Sequence, residues 1–290
     1  MGEFRPYPVP EYTREQVFGS ERLTEGETIS QQRVEELASL IEEDAQVFFK
    51  FQVSEGRRGQ KTWDEVFDQM KGMREAEAED FAENPLEEKM MAVFWGMGEV
   101  LGQTRERNGL SRALEAINAD PSPDRRRRAE IKSRFDELNV SLAAWQNDIA
   151  RVTLALARLE TGRKFLKFFW DSFHQLSREA FEETEDQSGR VRSGVLGVIT
   201  TVKIMNALGF ETALPYPEQD AIHKIDLFAR RGEQTLAIQI KSHNAPVLRV
   251  RCFPIRGPER TDGLEGRERR EAESRNLLCK SSNTYWTPLR

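Results

Sequence analysis

The sequence has few of the residues that build disulfide frameworks and zinc sites. Its 290 residues include only two cysteines, Cys252 and Cys279, and three histidines. Neither cysteine belongs to a CxxC pair or to a Cys/His zinc spacing, which excludes a disulfide scaffold and a structural zinc site. So few cysteines are typical of a reducing compartment, and we expect the protein to be cytoplasmic.

Long apolar runs are also missing. No segment approaches the roughly 20 apolar residues that a membrane helix needs, and the N-terminal stretch MGEFRPYPVPEYTREQ has no signal-peptide core. At the same time, 38% apolar residues with 17 Phe and 5 Trp are too many for a disordered chain. The sequence therefore predicts a folded protein that does not act in a membrane.

Several common catalytic motifs are absent. The chain has no GxxxxGK[ST] phosphate loop, no GxGxxG fingerprint, no GxSxG elbow and no HExxH zinc motif. An ATPase, a dehydrogenase, a serine hydrolase and a zinc protease therefore have no support.

Charge is distributed unevenly, which the formal net charge of −6 conceals. Residues 1–188 carry 26 basic and 38 acidic residues, a net charge of −12, whereas residues 189–290 carry 17 and 11, a net charge of +6. A basic part joined to an acidic part indicates that the smaller part binds an anion, most simply a nucleic acid backbone. The alternative is that the uneven distribution of charged residues is ordinary variation along the chain.

The positions of Pro and Gly and the spacing of apolar residues predict three regions. Residues 1–29 form an extended arm, because four of the first ten positions are Pro or Gly. Residues 30–187 form a helical or coiled-coil domain, and residues 188–290 form an α/β domain. In the first helix of the helical domain, apolar residues share one face: Val34, Leu37, Ile41, Phe48 and Phe51.

An unbroken heptad dominates the middle of the chain. Its two apolar series are Ile131, Leu138, Trp145, Val152 and Leu159, and Phe135, Leu142, Ile149 and Leu156. The register predicts one helix over about 124–184, with Ser122 as its N-cap and Pro123 at its first position. Such a helix can fold back as an elongated bundle, pair with a helical partner or a second copy through residues 124–184, or break near Gly162 into two ordinary helices.

The periodicity changes after Gly189. A helix is predicted over about 191–208, ended by Gly209, and short strands over 210–214, 223–229 and 235–241. Val247 to Ile255 is a candidate for a further strand. In the hairpin of the last two strands, alternation leaves Asp226 opposite the apolar face, while Gln239 and Lys241 project together.

These side chains suit metal-assisted phosphodiester hydrolysis. Asp226 would hold Mg²⁺ (or Mn²⁺), and the Gln239 amide oxygen and the Ile240 main-chain carbonyl would complete its ligands. Lys241 would orient the attacking water or neutralise charge on the phosphate. Glu218 and Asp220 are nearby candidates for a further acidic ligand.

The stretch 188–243, with its core IDLFAR followed by LAIQIKSH, resembles the PD-(D/E)XK nuclease superfamily. The resemblance implies a restriction-endonuclease-like α/β core, with Asp226 as the metal-binding aspartate, Gln239 at the glutamate position and Lys241 as the lysine. The QxK form is similar to that of Mrr-type nucleases. The first predicted helix lacks the additional acid that many members carry, and glutamine at 239 leaves open a domain that binds without cleaving.

A phosphate-tracking groove is expected around this hairpin. Its predicted nucleic-acid-binding residues are Arg190, Arg192, Arg230, Arg231, His243, Arg249 and Arg251. We therefore expect a metal-dependent endonuclease acting on nucleic acid, DNA first, with a helical region for assembly or partner contact. The alternative is a catalytically inactive nucleic-acid-binding or scaffold protein that oligomerises through its heptad helix.

Overall fold

The computed structural model describes residues 29–120, 124–181, 187–232, 234–242 and 248–255. Their contacts divide the chain into two units, and the division falls between Val195 and Leu196, inside a helix. The predicted arm lies outside the described residues except for residue 29. We call residues 29–195 the helical unit and the described residues from 196 onward the sheet unit.

The helical unit consists of helices joined by short connections. Their bounds are α1 Gln31–Phe48, α2 Ser54–Arg57, α3 Trp63–Phe81, α4 Pro85–Trp95, α5 Met97–Ala119, α6 Arg125–Leu156, α7 Glu160–Phe181 and α8 Gln187–Ala207, which continues into the sheet unit. A π-helical turn, Phe49–Val53, links α1 to α2.

Local side chains satisfy the starts of these helices. Ser30 accepts the amide of Arg33 at the start of α1, and Thr62 forms a reciprocal capping box with Glu65 at the start of α3. Asn84 caps α4, whose first residue is Pro85.

The π-helical turn changes which residues of the first predicted helix are buried. Four of the predicted residues, Val34, Leu37, Ile41 and Phe48, lie on the buried face. Phe51, however, is 53% exposed, and Val53 is fully buried. The wider turn inserts one residue into the helical period and rotates the following side chains by about 100°. The prediction that Phe51 shares the apolar face was therefore wrong.

The heptad segment is two helices rather than one. Helix α6 ends at Leu156 and α7 begins at Glu160, so the prediction of one helix over 124–184 was wrong and the break near Gly162 is observed. A Cβ atom on Gly162 would lie 2.8 Å from the Leu156 Cβ and still closer to the Leu156 carbonyl oxygen. The start of α7 thus packs directly on the end of α6. The predicted cap Ser122 lies outside the described residues, and Asp124 caps α6 instead, through the amides of Arg126 and Arg127.

The heptad stripe is buried within the helical unit. From Leu138 to Leu156 its residues are at most 8% exposed, and α6 packs against α4, α5 and α7. Aromatic rings fill this interface, with Trp145 5.4 Å from Phe173 between ring centroids. The stripe is therefore covered by the chain itself, and pairing through residues 124–184 with another chain stays a prediction.

The sheet unit contains the end of α8 and an antiparallel meander. Its further elements are β1 Glu211–Ala213, α9 Pro217–His223, β2 Leu227–Arg231, β3 Gln234–Ser242 and β4 Leu248–Ile255, and the sheet order is β1-β2-β3-β4. Helix α8 ends as expected, since Gly209 follows it with a φ of +77°.

The prediction of a restriction-endonuclease-like α/β core was wrong. The common core that the resemblance implies is a helix, three antiparallel strands, a second helix and a further strand. Only five residues separate β3 from β4, and β4 pairs antiparallel to β3. Five residues suit a hairpin connection and are too few for a crossover helix. The strands of the sheet unit therefore form a small antiparallel meander, and most of the described residues are helical.

Candidate functional site

Asp226 lies immediately before β2 and binds the backbone of β3 in two ways. Its amide donates to the Ile238 carbonyl oxygen at 2.9 Å. Its carboxylate Oδ2 accepts the amide of Ile240 at 2.5 Å. Because β2 begins only at Leu227, no strand carbonyl faces the Ile240 amide, and the carboxylate takes that place.

This contact answers why a carboxylate is tolerated between Ile225 and Leu227. The sequence places Asp226 within a strand, where its charge disfavours the structure unless something binds it. The structure places Asp226 at the strand boundary, half-buried, with an amide donor for its charge. A hydrogen bond from a neutral donor to a charged acceptor is stronger than one between neutral groups.

The register brings the other motif residues beside Asp226. Leu227 pairs with Ile238, so Asp226 lies next to Gln239 on the neighbouring strand. Gln239 is half-buried, and the backbone of Lys241 follows it two positions later in β3. The carboxylate of Asp226 therefore sits at Ile240, midway between Gln239 and Lys241 along β3.

The Ile240 carbonyl is also on this edge. In an antiparallel strand the amide and the carbonyl of one residue point toward the same neighbouring strand. Since the Ile240 amide points to Asp226, its carbonyl oxygen is directed to the same side. The carboxylate and two neutral oxygen donors are thus the site's candidate ligands.

Glu218, Asp220 and His223 lie on one short helix. This helix is α9, whereas His223 was expected to begin a strand. Pro217 opens this helix, and the Gln219 side chain accepts the amide of Tyr216 at 2.8 Å. Among the described ranges, no three His, Cys, Asp or Glu side chains form a group that could hold a metal ion, so Glu218 and Asp220 do not complete such a group with Asp226.

The predicted basic groove is only partly described, and its arginines already have contacts. Arg230 forms an ion pair with Glu211 on the neighbouring strand β1. Arg231 stacks over the Phe210 ring at 4.8 Å and donates to the Leu208 carbonyl, although it remains exposed.

The remaining predicted arginines divide between the two units. In the helical unit, Arg192 lies over the Trp170 ring at 6.0 Å, and Arg190 is exposed. Outside the described residues are His243 and the side chains of Lys241, Arg249 and Arg251, which have backbone positions only in β3 and β4. Their roles stay predictions.

The donor set fits Mg²⁺ in kind. Mg²⁺ takes oxygen ligands, is commonly held by one or two carboxylates and keeps several waters. Asp226 offers one carboxylate, and Gln239 and Ile240 offer amide-type oxygens. Because the described residues supply a single acid at this point, an ion there would keep most of its coordination shell as water.

Sequence reasoning missed the hydrogen bond between Asp226 and Ile240 and the short helix α9. The helix carries a usable signal, because Pro217 followed two residues later by Gln219 matches the first turn of a capped helix. The hydrogen bond has no local signal, since its partners are 14 residues apart.

Comparison with known proteins gives no relative: no family profile matches the chain, and no curated protein or solved structure is detectably similar to it. Within the described ranges, no helix combines the length and the apolar character that crossing a membrane requires.

Proposed function

We propose that this protein is a metal-dependent nuclease that hydrolyses phosphodiester bonds, with DNA as the first substrate to test, at the hairpin of β2 and β3. One observation carries the proposal: the Asp226 carboxylate is fixed on the Ile240 amide, between Gln239 and Lys241 along the neighbouring strand. A carboxylate, an amide oxygen and a lysine position at one strand edge are a chemically suitable set for binding a phosphate beside a cation.

Each residue has a defined role under this proposal. Asp226, Gln239 and the Ile240 carbonyl hold the ion, and Lys241 orients the attacking water or neutralises charge on the phosphate. A bound Mg²⁺ supplies polarisation of the phosphate and a more acidic water. The helical unit serves assembly or partner contact, and the chain works in the cytoplasm, as its few cysteines suggest.

The test uses two substitutions at one residue. Asp226→Asn keeps an oxygen acceptor for the Ile240 amide but removes the charge, whereas Asp226→Ala removes both. We expect the wild-type chain to nick plasmid DNA with Mg²⁺ or Mn²⁺ and not with EDTA. Asp226→Asn should lose at least about 100-fold in rate, while losing less stability than Asp226→Ala because it keeps an acceptor for the Ile240 amide.

A matched control is Asp68→Asn, because Asp68 is an exposed acid on α3, in the helical unit. Its cleavage rate should equal that of the wild-type chain. Full activity in purified Asp226→Asn would refute the proposed role of Asp226, and absence of cleavage on plasmid, linear and single-stranded substrates with every metal would refute the nuclease.

A second candidate is a nucleic-acid-binding or scaffold protein that does not cleave. The observation in its favour is that Asp226 already has a structural task, as acceptor for the Ile240 amide at the end of a strand. Under this alternative, Asp226→Ala loses more stability than Asp226→Asn, and neither substitution changes nucleic acid affinity. Salt-dependent binding without cleavage would favour this candidate.

A further inference from the structure

Glu77 is an unusual residue of the helical unit. It lies on α3, its side chain is only 3% exposed, and neither of its carboxylate oxygens has a hydrogen-bond partner among the described residues. Buried carboxylates are nearly always paired, so an exception calls for a physical explanation. The Trp95 indole nitrogen on α4 is likewise buried without a partner.

Three groups from three helices influence one another here. Burial raises the pKa of Glu77 to about 7, the Trp95 indole acts in the opposite direction, and Asp44 on α1 raises it further. Asp44 acts through its negative charge, and it would accept a hydrogen bond from the protonated carboxyl group of Glu77. A proton on Glu77 therefore relieves two costs, the burial of a charge and its repulsion by Asp44.

Among the described residues, no cation contributes to the pKa of Glu77. Three basic residues of the helices around it form ion pairs elsewhere: Arg33 with Glu87 at 3.0 Å, Arg74 with Glu99 at 2.9 Å and Lys89 with Asp148 at 3.4 Å. None of these groups is among those that shift the Glu77 pKa. With no such cation in the described part of the chain, the negative charge of Glu77 is neutralised by binding a proton.

We propose that Glu77, Asp44 and the Trp95 indole form a proton-binding site in the core of the helical unit, whose occupancy tightens the packing of α3. Helix α3 packs on α4 and α5. A second negative charge beside Asp44 would therefore weaken the packing between α3 and these two helices. This site is independent of the proposed nuclease, because it concerns residues of the other unit.

The direction of the pH effect follows from the pKa values. The pKa of Glu77 is higher in the folded chain, about 7, than its ordinary value of 4.5. Its stabilising contribution is therefore complete below about pH 4.5 and is lost as the pH rises through about 7. Above that range the folded chain carries an unpaired buried carboxylate.

The experiment is chemical unfolding of the full chain between pH 5 and pH 8.5. We expect the folded-to-unfolded ratio of the wild-type chain to fall by about tenfold or more over this range. Glu77→Gln, which has the same shape and no charge, should remove most of that fall. Glu79→Gln, at an exposed position on the same helix, should keep it.

A second readout follows the site directly. The indole N–H resonance of Trp95, assigned with Trp95→Phe, should titrate with a midpoint near pH 7, and Asp44→Asn should lower that midpoint. An indole resonance that does not move between pH 5 and pH 9 would overturn the proposal. So would a Glu77→Gln chain with the wild-type fall in stability, and the resonance test decides the matter if that variant does not fold.

Discussion

The helical unit and the sheet unit satisfy their backbone ends over different distances along the chain. In the helical unit, Thr62 and Glu65 cap α3 from three residues apart. In the sheet unit, Asp226 accepts the amide of Ile240, 14 residues away. Local caps can be recognised in a sequence, whereas a carboxylate that completes a strand edge looks the same in sequence as one that binds a metal.

The largest effect is expected from a substitution at a close contact in the helical unit. Gly162→Ala should destabilise the chain by about 2–3 kcal/mol, because the new Cβ overlaps the end of α6 at Leu156. The measurement is urea unfolding followed by far-UV circular dichroism. The matched control is Gly109→Ala, where a Cβ meets nothing within 4 Å and helix propensity should raise stability by up to about 1 kcal/mol. Equal effects of the two substitutions would refute the close packing of α6 and α7.

A smaller effect is expected where α8 ends in the sheet unit. Gly209 has a φ of +77°, which costs an alanine about 1 kcal/mol. Gly194→Ala in the same helix is the control, since a Cβ there has open space and should be neutral or stabilising. A Gly209→Ala chain as stable as the wild type in the same unfolding assay would show that this turn does not need a left-handed residue.

The capping box of α3 should contribute about as much or slightly less. Thr62→Ala is expected to cost about 1 kcal/mol, because the Glu65 amide loses its acceptor. Thr62 also lowers the pKa of Glu65 through its backbone and side-chain hydrogen bonds. That contribution is present above the ordinary pKa and is lost as the pH falls through the lowered one, so Thr62→Ala should weaken the acid sensitivity seen in unfolding at pH 3 and pH 7. An unchanged difference between the two pH values would contradict this role.

The smallest effect is expected for an exposed ion pair. Lys167 lies 2.7 Å from Asp171 on α7, and both side chains are mostly solvent-exposed. Lys167→Ala should leave the unfolding midpoint unchanged within error, because water and salt screen such a pair. A large loss of stability would mean that the helical unit depends on surface charge as well as on its core.

The two units also differ in how far sequence reasoning reached. The apolar period identified the buried face of α6 from Leu138 onward, since a helical stripe is a local repeat. It could not locate the break after Leu156, because the heptad continues through it and the break depends on the contact at Gly162. The π-helical turn over Phe49–Val53 was also not predicted, because the insertion of one residue into the helical period does not change the amino-acid composition.

At the candidate site, the alternation of apolar and polar residues predicts the hairpin of β2 and β3, and the glycine at position 232 predicts its turn. The topology around the hairpin does not follow from such patterns. A strand pattern predicts that Val247 to Ile255 is extended, and β4 is observed over Leu248–Ile255. Pattern does not say which strand it pairs with, and that pairing decides between a meander and a nuclease core.

Local sequence patterns predict the helical character of the first two thirds, the basic character of the last third and the hairpin that brings Asp226 toward Gln239. These depend on periods, charges and turn residues that lie close together in the chain. The tertiary structure adds three features that no local pattern shows. The heptad is covered by its own chain from Leu138 to Leu156, and β4 closes a meander. The carboxylate of Asp226 accepts an amide, whereas the buried carboxylate of Glu77 has no hydrogen-bond partner among the described residues. Such features depend on contacts between distant residues, and the free energy of a carboxylate is set by those contacts.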